Sequence, residues 1–140
     1  MSSNNLCTPY YEPGSRITGR ATGGAVTGKR FVSLAAVKDP ASRGLDAGAT
    51  GGNVRIKAAI ADDPFLFGVA ETDAADGKVT TVFTDGFVVP ITAGTALAYG
   101  DYIKPGAASK VVKAADRATS CGMSLSDASI DQDAICILRF

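Results

Sequence analysis

No histidine occurs anywhere in the 140 residues. Its absence removes the usual general base near neutral pH and the commonest metal ligand, so Ser-His-Asp and Cys-His constellations are excluded. Tryptophan is also missing, and aromatic residues total only 7%. A carbohydrate or cell-surface binding module leans on exposed aromatic rings and would be thinly equipped here. Fourteen basic residues face fourteen acidic ones, a net charge of zero. A nucleic-acid binder draws much of its affinity from a basic surplus, so no direct nucleic-acid partner is expected. No apolar run approaches the ~20 residues of a membrane span. The start, Met1-Ser2-Ser3-Asn4-Asn5, has neither a basic region nor an apolar run behind it. Neither a membrane partner nor a secretory signal is expected.

Cysteine is scarce too. Cys7, Cys121 and Cys136 are odd in number and have no CxxC spacing, which argues against a disulfide framework. Reduced, mostly buried thiols are expected, in a chain made and kept in a reducing cytoplasm unless something carries it out.

What remains is a globular composition, 46% hydrophobic and 20% charged, with a length suited to one domain. Sixteen glycines and six prolines punctuate short apolar runs. The runs fall at 31–37, 54–60, 65–70, 79–83, 87–91, 102–103, 111–112 and 134–138. They are short and rich in Val, Ile, Phe and Thr, which fits strands better than helices. Asp76-Gly77 and Asp85-Gly86 read as tight hairpin turns, and Lys104-Pro105-Gly106 as a further turn. Residues 93–101 read as a loop, and only 113–119 hints at a helical period. The expected fold is all-β, a small barrel or sandwich of short strands. Residues 1–14 are expected as an extended N-terminal arm and 15–140 as a single β-rich domain. Within it, 39–53 form a long glycine-rich loop excursion.

One internal echo stands out. Gly68-Val69-Ala70-Glu71-Thr72-Asp73-Ala74 and Gly122-Met123-Ser124-Leu125-Ser126-Asp127-Ala128 share a Gly-apolar-small-x-Thr/Ser-Asp-Ala pattern, each ahead of a strand-like run. One strand–turn–strand device is used twice.

The remaining motifs favour structure over chemistry. Gly23-Gly24-Ala25-Val26-Thr27-Gly28-Lys29 has P-loop spacing, but Arg30 stands where a Ser or Thr would hold magnesium. The flanks also fail to read as a buried strand and a helix, so a glycine-rich hairpin loop is expected. The acidic groups Asp127, Asp131, Asp133 and Glu71, Asp73, Asp76 do not match a calcium loop and read as solvated turns. The basic residues Arg16, Arg20, Lys29, Arg30, Lys38, Arg43, Arg55 and Lys57 read first as a solvated face. A cationic docking patch is the second reading. No catalytic residue, cofactor site or metal site is expected.

Several segments together resemble a family of small phage head proteins. They are the turn Gly68 to Gly77, the strand 79–83, Gly86-Phe87-Val88-Val89-Pro90, and Gly94-Thr95-Ala96-Leu97-Ala98-Tyr99-Gly100-Asp101-Tyr102-Ile103. The closing Gly122 to Ala128 turn with the strand 135–138 completes the set. The family is that of tailed-bacteriophage capsid decoration, or cement, proteins. The resemblance implies a non-enzymatic structural protein of the virion, on the capsid exterior, assembled in the host bacterial cytoplasm. It implies the major capsid protein as partner, self-association as a homotrimer, and contact with neighbouring decoration subunits. Gly68, Asp73, Gly77, Gly86, Gly100, Asp101, Gly122 and Asp127 are then structural turn residues. The arm and the 39–53 loop are the expected contact elements, and Leu6, Tyr10, Tyr11, Arg16, Arg20, Arg43 and Leu45 the expected contact residues. The alternatives are another phage structural β-domain of a tail or fibre, or a host-surface or carbohydrate-binding module.

Overall fold

The computed structural model describes residues 5–14, 16–35 and 54–140. Their strands form two five-stranded sheets. The first contains β1 (Ile17–Ala21), β2 (Phe31–Leu34), β3 (Val54–Ala58), β4 (Leu66–Ala70) and β5 (Val79–Phe83). It closes into a barrel in the order β1-β3-β2-β4-β5. The second contains β6 (Val88–Thr92), β7 (Tyr102–Pro105), β8 (Val111–Lys113), β9 (Gly122–Ser124) and β10 (Asp133–Leu138). Its order is β6-β10-β9-β7-β8. The all-β expectation is met, and β5 has the bounds read from its Val/Thr/Phe run.

The two sheets repeat one plan. Taken as a ring, the second order matches the first strand for strand, and a parallel bridge from Ala93 to Val111 joins its ends. Individual hydrogen bonds repeat as well. Gly77 N–H donates to Ala21 O where Asp131 N–H donates to Ala93 O, and Lys29 N–H donates to Ala70 O where Gly100 N–H donates to Ser124 O. The echoed Asp-Ala steps occupy matching places. Ala74 bridges to Val26 and Ala128 to Leu97, while Asp73 Oδ1 accepts Gly28 N–H and Asp127 Oδ1 accepts Tyr99 N–H. The echo in the sequence marks a repeat of the whole five-strand unit.

Packing of the two units follows from strand alternation. On β2, β4 and β5, Val32, Ala70 and Val82 point into the first barrel with Ala21, Val26, Ile56 and Ala74. Their neighbours Phe31, Val69 and Phe83 face outward into a second cluster with Val89, Ile91, Ile103, Val111, Cys136 and Leu138 of the second sheet. Both faces of these strands are buried, which is why apolar residues stand side by side along them. The Phe83 and Phe87 rings meet across the junction, 5.2 Å between centroids. Lys29 Nζ to Asp133 Oδ2 at 2.9 Å, Thr92 N–H to Lys29 O at 2.8 Å and Ser109 Oγ to Ala59 O at 2.6 Å tie the units further.

Several expected turns are corrected. Gly68 lies inside β4 and Gly122 opens β9, because both motifs begin as strands and turn only afterwards. Asp85-Gly86 is no hairpin, since β5 and β6 belong to different sheets. Gly86 there takes a positive φ of 89° in a crossover turn closed by Phe87 N–H to Thr84 O. The loop 22–30 is likewise no hairpin, because β1 and β2 flank β3 rather than each other. Pro105 ends β7, and the reversal falls on the 3-10 turn Ala107–Ser109. Residues 113–119 hold a short strand end and bends rather than a helix. The 39–53 loop lies outside the described residues.

Candidate functional site

The arm is the first element the sequence marks for contact, and its described part is strapped to the body. Cys7 N–H donates to Glu71 O at 2.7 Å, Tyr10 N–H to Val88 O at 2.7 Å, and Val88 N–H to Tyr11 O at 3.2 Å. The arm therefore adds to the free part of the β6 edge, a placement that spares both backbones their unpaired groups. Cys7 is fully buried and its thiol donates to Pro90 O at 3.3 Å. Burial pushes the thiols of Cys7, Cys121 and Cys136 up to about 12. All three are free and buried, as expected.

With Cys7 pointing in, Leu6, Tyr10 and Tyr11 point out, at 45%, 69% and 59% exposure. Arg16, partly exposed, is paired within the chain. It is held by Glu12 at 2.7 Å and Glu71 at 3.0 Å, with its guanidinium 5.2 Å from the centre of the Phe83 ring. The hydrogen bond from Arg16 keeps the Glu12 carboxyl below its ordinary range. Arg20 Nη1 donates to Gly77 O, and Arg30 Nη1 to Ala108 O at 3.3 Å. With Lys29 on Asp133, much of the basic set is spent on internal ties, which weakens the cationic-patch reading. Arg43, Leu45 and Lys38 lie outside the described residues.

The remaining turn residues work as anchors. Asp101 Oδ2 accepts Ala98 N–H at 2.9 Å, and Gly77 and Gly100 take the positive φ their turns require. The acidic groups are tied rather than merely solvated: Asp131 pairs with Lys110 at 2.6 Å and Asp76 Oδ1 accepts Gly24 N–H at 3.2 Å.

A second exposed apolar group escaped the sequence reading. Ile60 and Phe65, each 64% exposed, flank the turn between β3 and β4, next to Leu34 at 41%. Leu34 N–H donates to Phe65 O at 3.0 Å. The nearly buried Asp63 fixes this tip, accepting from Ser33 Oγ at 2.6 Å, Phe65 N–H at 2.9 Å and Ile60 N–H at 3.3 Å. The apolar runs 54–60 and 65–70 include Ile60 and Phe65, but β3 ends at Ala58 and β4 begins at Leu66. The signal for them was the Asp-Asp-Pro stop between two apolar residues, which ends both strands early.

Two open grooves lie among the described residues. One of about 370 Å³ is lined by Tyr102, Arg117, Ser120, Gly122, Met123, Ile137 and Arg139. The other, about 610 Å³, includes Asp62, Asp63, Lys104, Cys121 and Phe140. Asp62 there is paired with Lys104 at 2.9 Å and Asp63 is saturated by its three donors. No group of three or more His, Cys, Asp or Glu suited to a metal occurs among the described residues, and no helix among them is long and apolar enough to cross a membrane. Among the described residues, the arrangement offers exposed apolar side chains on hydrogen-bonded segments.

The model of the phage cement protein family matches residues 11–139. The chain belongs to the phage cement protein family. It is a phage structural protein, associated with the capsid and a component of the virion. Among solved structures, this cement protein is similar to the crystal structure of the head fiber gp8.5 N base in bacteriophage phi29. The TM-score is 0.65 at 20% identity, covering 89% of this chain and 92% of that one. At that identity the likeness is one of fold. Comparison with curated proteins gives no match.

Proposed function

We propose that this cement protein binds the outer surface of the phage head, contacts the major capsid protein and stabilises its lattice. The observation that carries the reading is family membership over nearly the whole chain. The surface supports it, because Leu6, Tyr10 and Tyr11 stand outward on an arm that hydrogen bonds to its own body hold in place. A preset arm loses little freedom when it docks, so more of its contact energy appears as affinity. Contacts to several subunits raise the effective concentration of each further contact. A ligand that binds the intact shell but not its broken form stabilises it by about 2.7 kcal/mol per site at a hundredfold excess over Kd. Zero net charge leaves little repulsion between copies and suits assembly as a homotrimer.

Deleting residues 1–12 would also pull Cys7 from the core, so substitution of the outward residues is the cleaner experiment. The triple change Leu6→Ser, Tyr10→Ser, Tyr11→Ser is expected to lower occupancy on isolated capsids about tenfold or more, with little change in melting temperature. Unchanged occupancy would remove the arm from the contact. A wild-type protein that fails to sediment with capsids would overturn the function itself.

A further inference from the structure

The repeat treats one row of side chains differently in its two copies. In the first unit Phe31, Val69 and Phe83 stand opposite one another across β2, β4 and β5. All three are fully buried, packed against the second unit. Tyr102, Met123 and Ile137 form the matching row across β7, β9 and β10. Gly68 and Gly122 fix the match, since they precede Val69 and Met123 and back onto the carbonyls of Phe83 and Ile137. The second row is only half-buried and floors the open groove of about 370 Å³. Arg117 and Arg139 line the same groove, and both are exposed. Among the described residues neither guanidinium has a hydrogen-bond or ion-pair partner. Asp116, next to Arg117 in sequence, accepts Thr119 N–H at 3.0 Å, and Asp85 accepts the N–H of Phe140, next to Arg139, at 2.9 Å.

We infer that this second row is a docking site for an acidic segment of the capsid protein. Its carboxylates pair with Arg117 and Arg139, and an apolar side chain between them lies on Tyr102, Met123 and Ile137. The inference rests on the function proposed above. The repeat supplies the precedent for a covered face, since the first unit buries the same row completely. Charge selects the occupant. Every described Asp and Glu side chain already accepts a hydrogen bond or ion pair within the chain. A second copy's described surface therefore has no idle carboxylate side chain to bring, and the acid comes from a different protein. Nucleic acid is a poor fit, because two cations over an apolar floor neutralise only about two phosphates. An arginine takes a carboxylate bidentately. The apolar floor excludes water from the pair, which strengthens it beyond an exposed surface ion pair.

The test measures co-sedimentation of wild type and the Arg117→Glu, Arg139→Glu variant with isolated capsids, alongside thermal unfolding. A charge-matched control, Lys57→Glu with Lys78→Glu, alters two exposed cations outside the groove. The groove variant is expected to lose occupancy about tenfold or more with its melting temperature kept, while the control binds as wild type does. Hydroxyl-radical labelling of Tyr102 and Met123 in the wild type is expected to slow on capsids. If wild type binds, a folded groove variant of unchanged occupancy overturns the site and leaves the proposed function standing. An equal loss in the control does the same. Failure of wild type to bind overturns both. If the groove variant unfolds, labelling decides, and unchanged labelling overturns the inference. Protection that appears without capsids, as concentration rises or DNA is added, identifies a second copy or nucleic acid as occupant and overturns it as well.

Discussion

Asp63 shows how one side chain presents others. Burial by itself pushes its carboxyl up, but the bonds from Ser33 Oγ and the N–H groups of Phe65 and Ile60 outweigh that, and the pKa falls below its ordinary value. A carboxyl depressed on folding contributes stability above its unfolded pKa and loses it as pH falls through the folded one. Asp63→Asn is therefore expected to cost about 1–3 kcal/mol at neutral pH. The gap between variant and wild type should shrink as pH falls below about 4. Denaturant melts of both proteins across pH check this. A pH-independent gap would mean that shape rather than charge holds the Ile60–Phe65 tip.

Gly68 on β4 and Gly122 on β9 occupy matching places in the two sheets and share one constraint, to which Gly122 adds a positive φ of 157°. A Cβ on Gly68 would lie 2.2 Å from Phe83 O, and one on Gly122 2.0 Å from Ile137 O. Both obstacles are backbone of the adjacent strand and cannot swing aside. Gly68→Ala and Gly122→Ala are each expected to cost about 1–3 kcal/mol. Gly14→Ala, with nothing within 4 Å, should stay within about 0.5 kcal/mol. Chemical denaturation of the three variants tests the pairing. These two glycines were legible as special and misread as turns, because sequence shows that glycine is required but not whether φ or close approach requires it. Strand β1 was undervalued for a related reason. Its buried positions are Gly19 and Ala21, small because Ile56 fills the space beneath; a Cβ on Gly19 would meet Ile56 Cδ1 at 2.9 Å. A strand whose partner supplies the bulk carries little apolar signal of its own.

The two five-strand units share a single apolar cluster that also takes in Cys7 of the arm. Separation would expose the outer faces of β2, β4 and β5, including Phe31, Val69 and Phe83. Burying a side chain of this size is worth about 1.5–3 kcal/mol, so neither unit gains by opening alone. Residues 15–140 are expected to unfold in one transition despite the repeat. Calorimetry should give equal calorimetric and van't Hoff enthalpies, and two resolved transitions would show the units to be independent.

Composition and local pattern alone excluded histidine chemistry and set the strand class, most strand positions and the buried, reduced state of the cysteines. Each of these depends on residue type and short-range alternation. The doubled five-strand plan, the strap of the arm across both units and the outward tip at Ile60 and Phe65 came only with the folded chain. They depend on which strand lies beside which, and hydrogen-bond partners distant in sequence leave no local trace. Even the repeated Asp-Ala step showed only as a resemblance of seven residues until Val26 and Leu97 were found opposite its two copies.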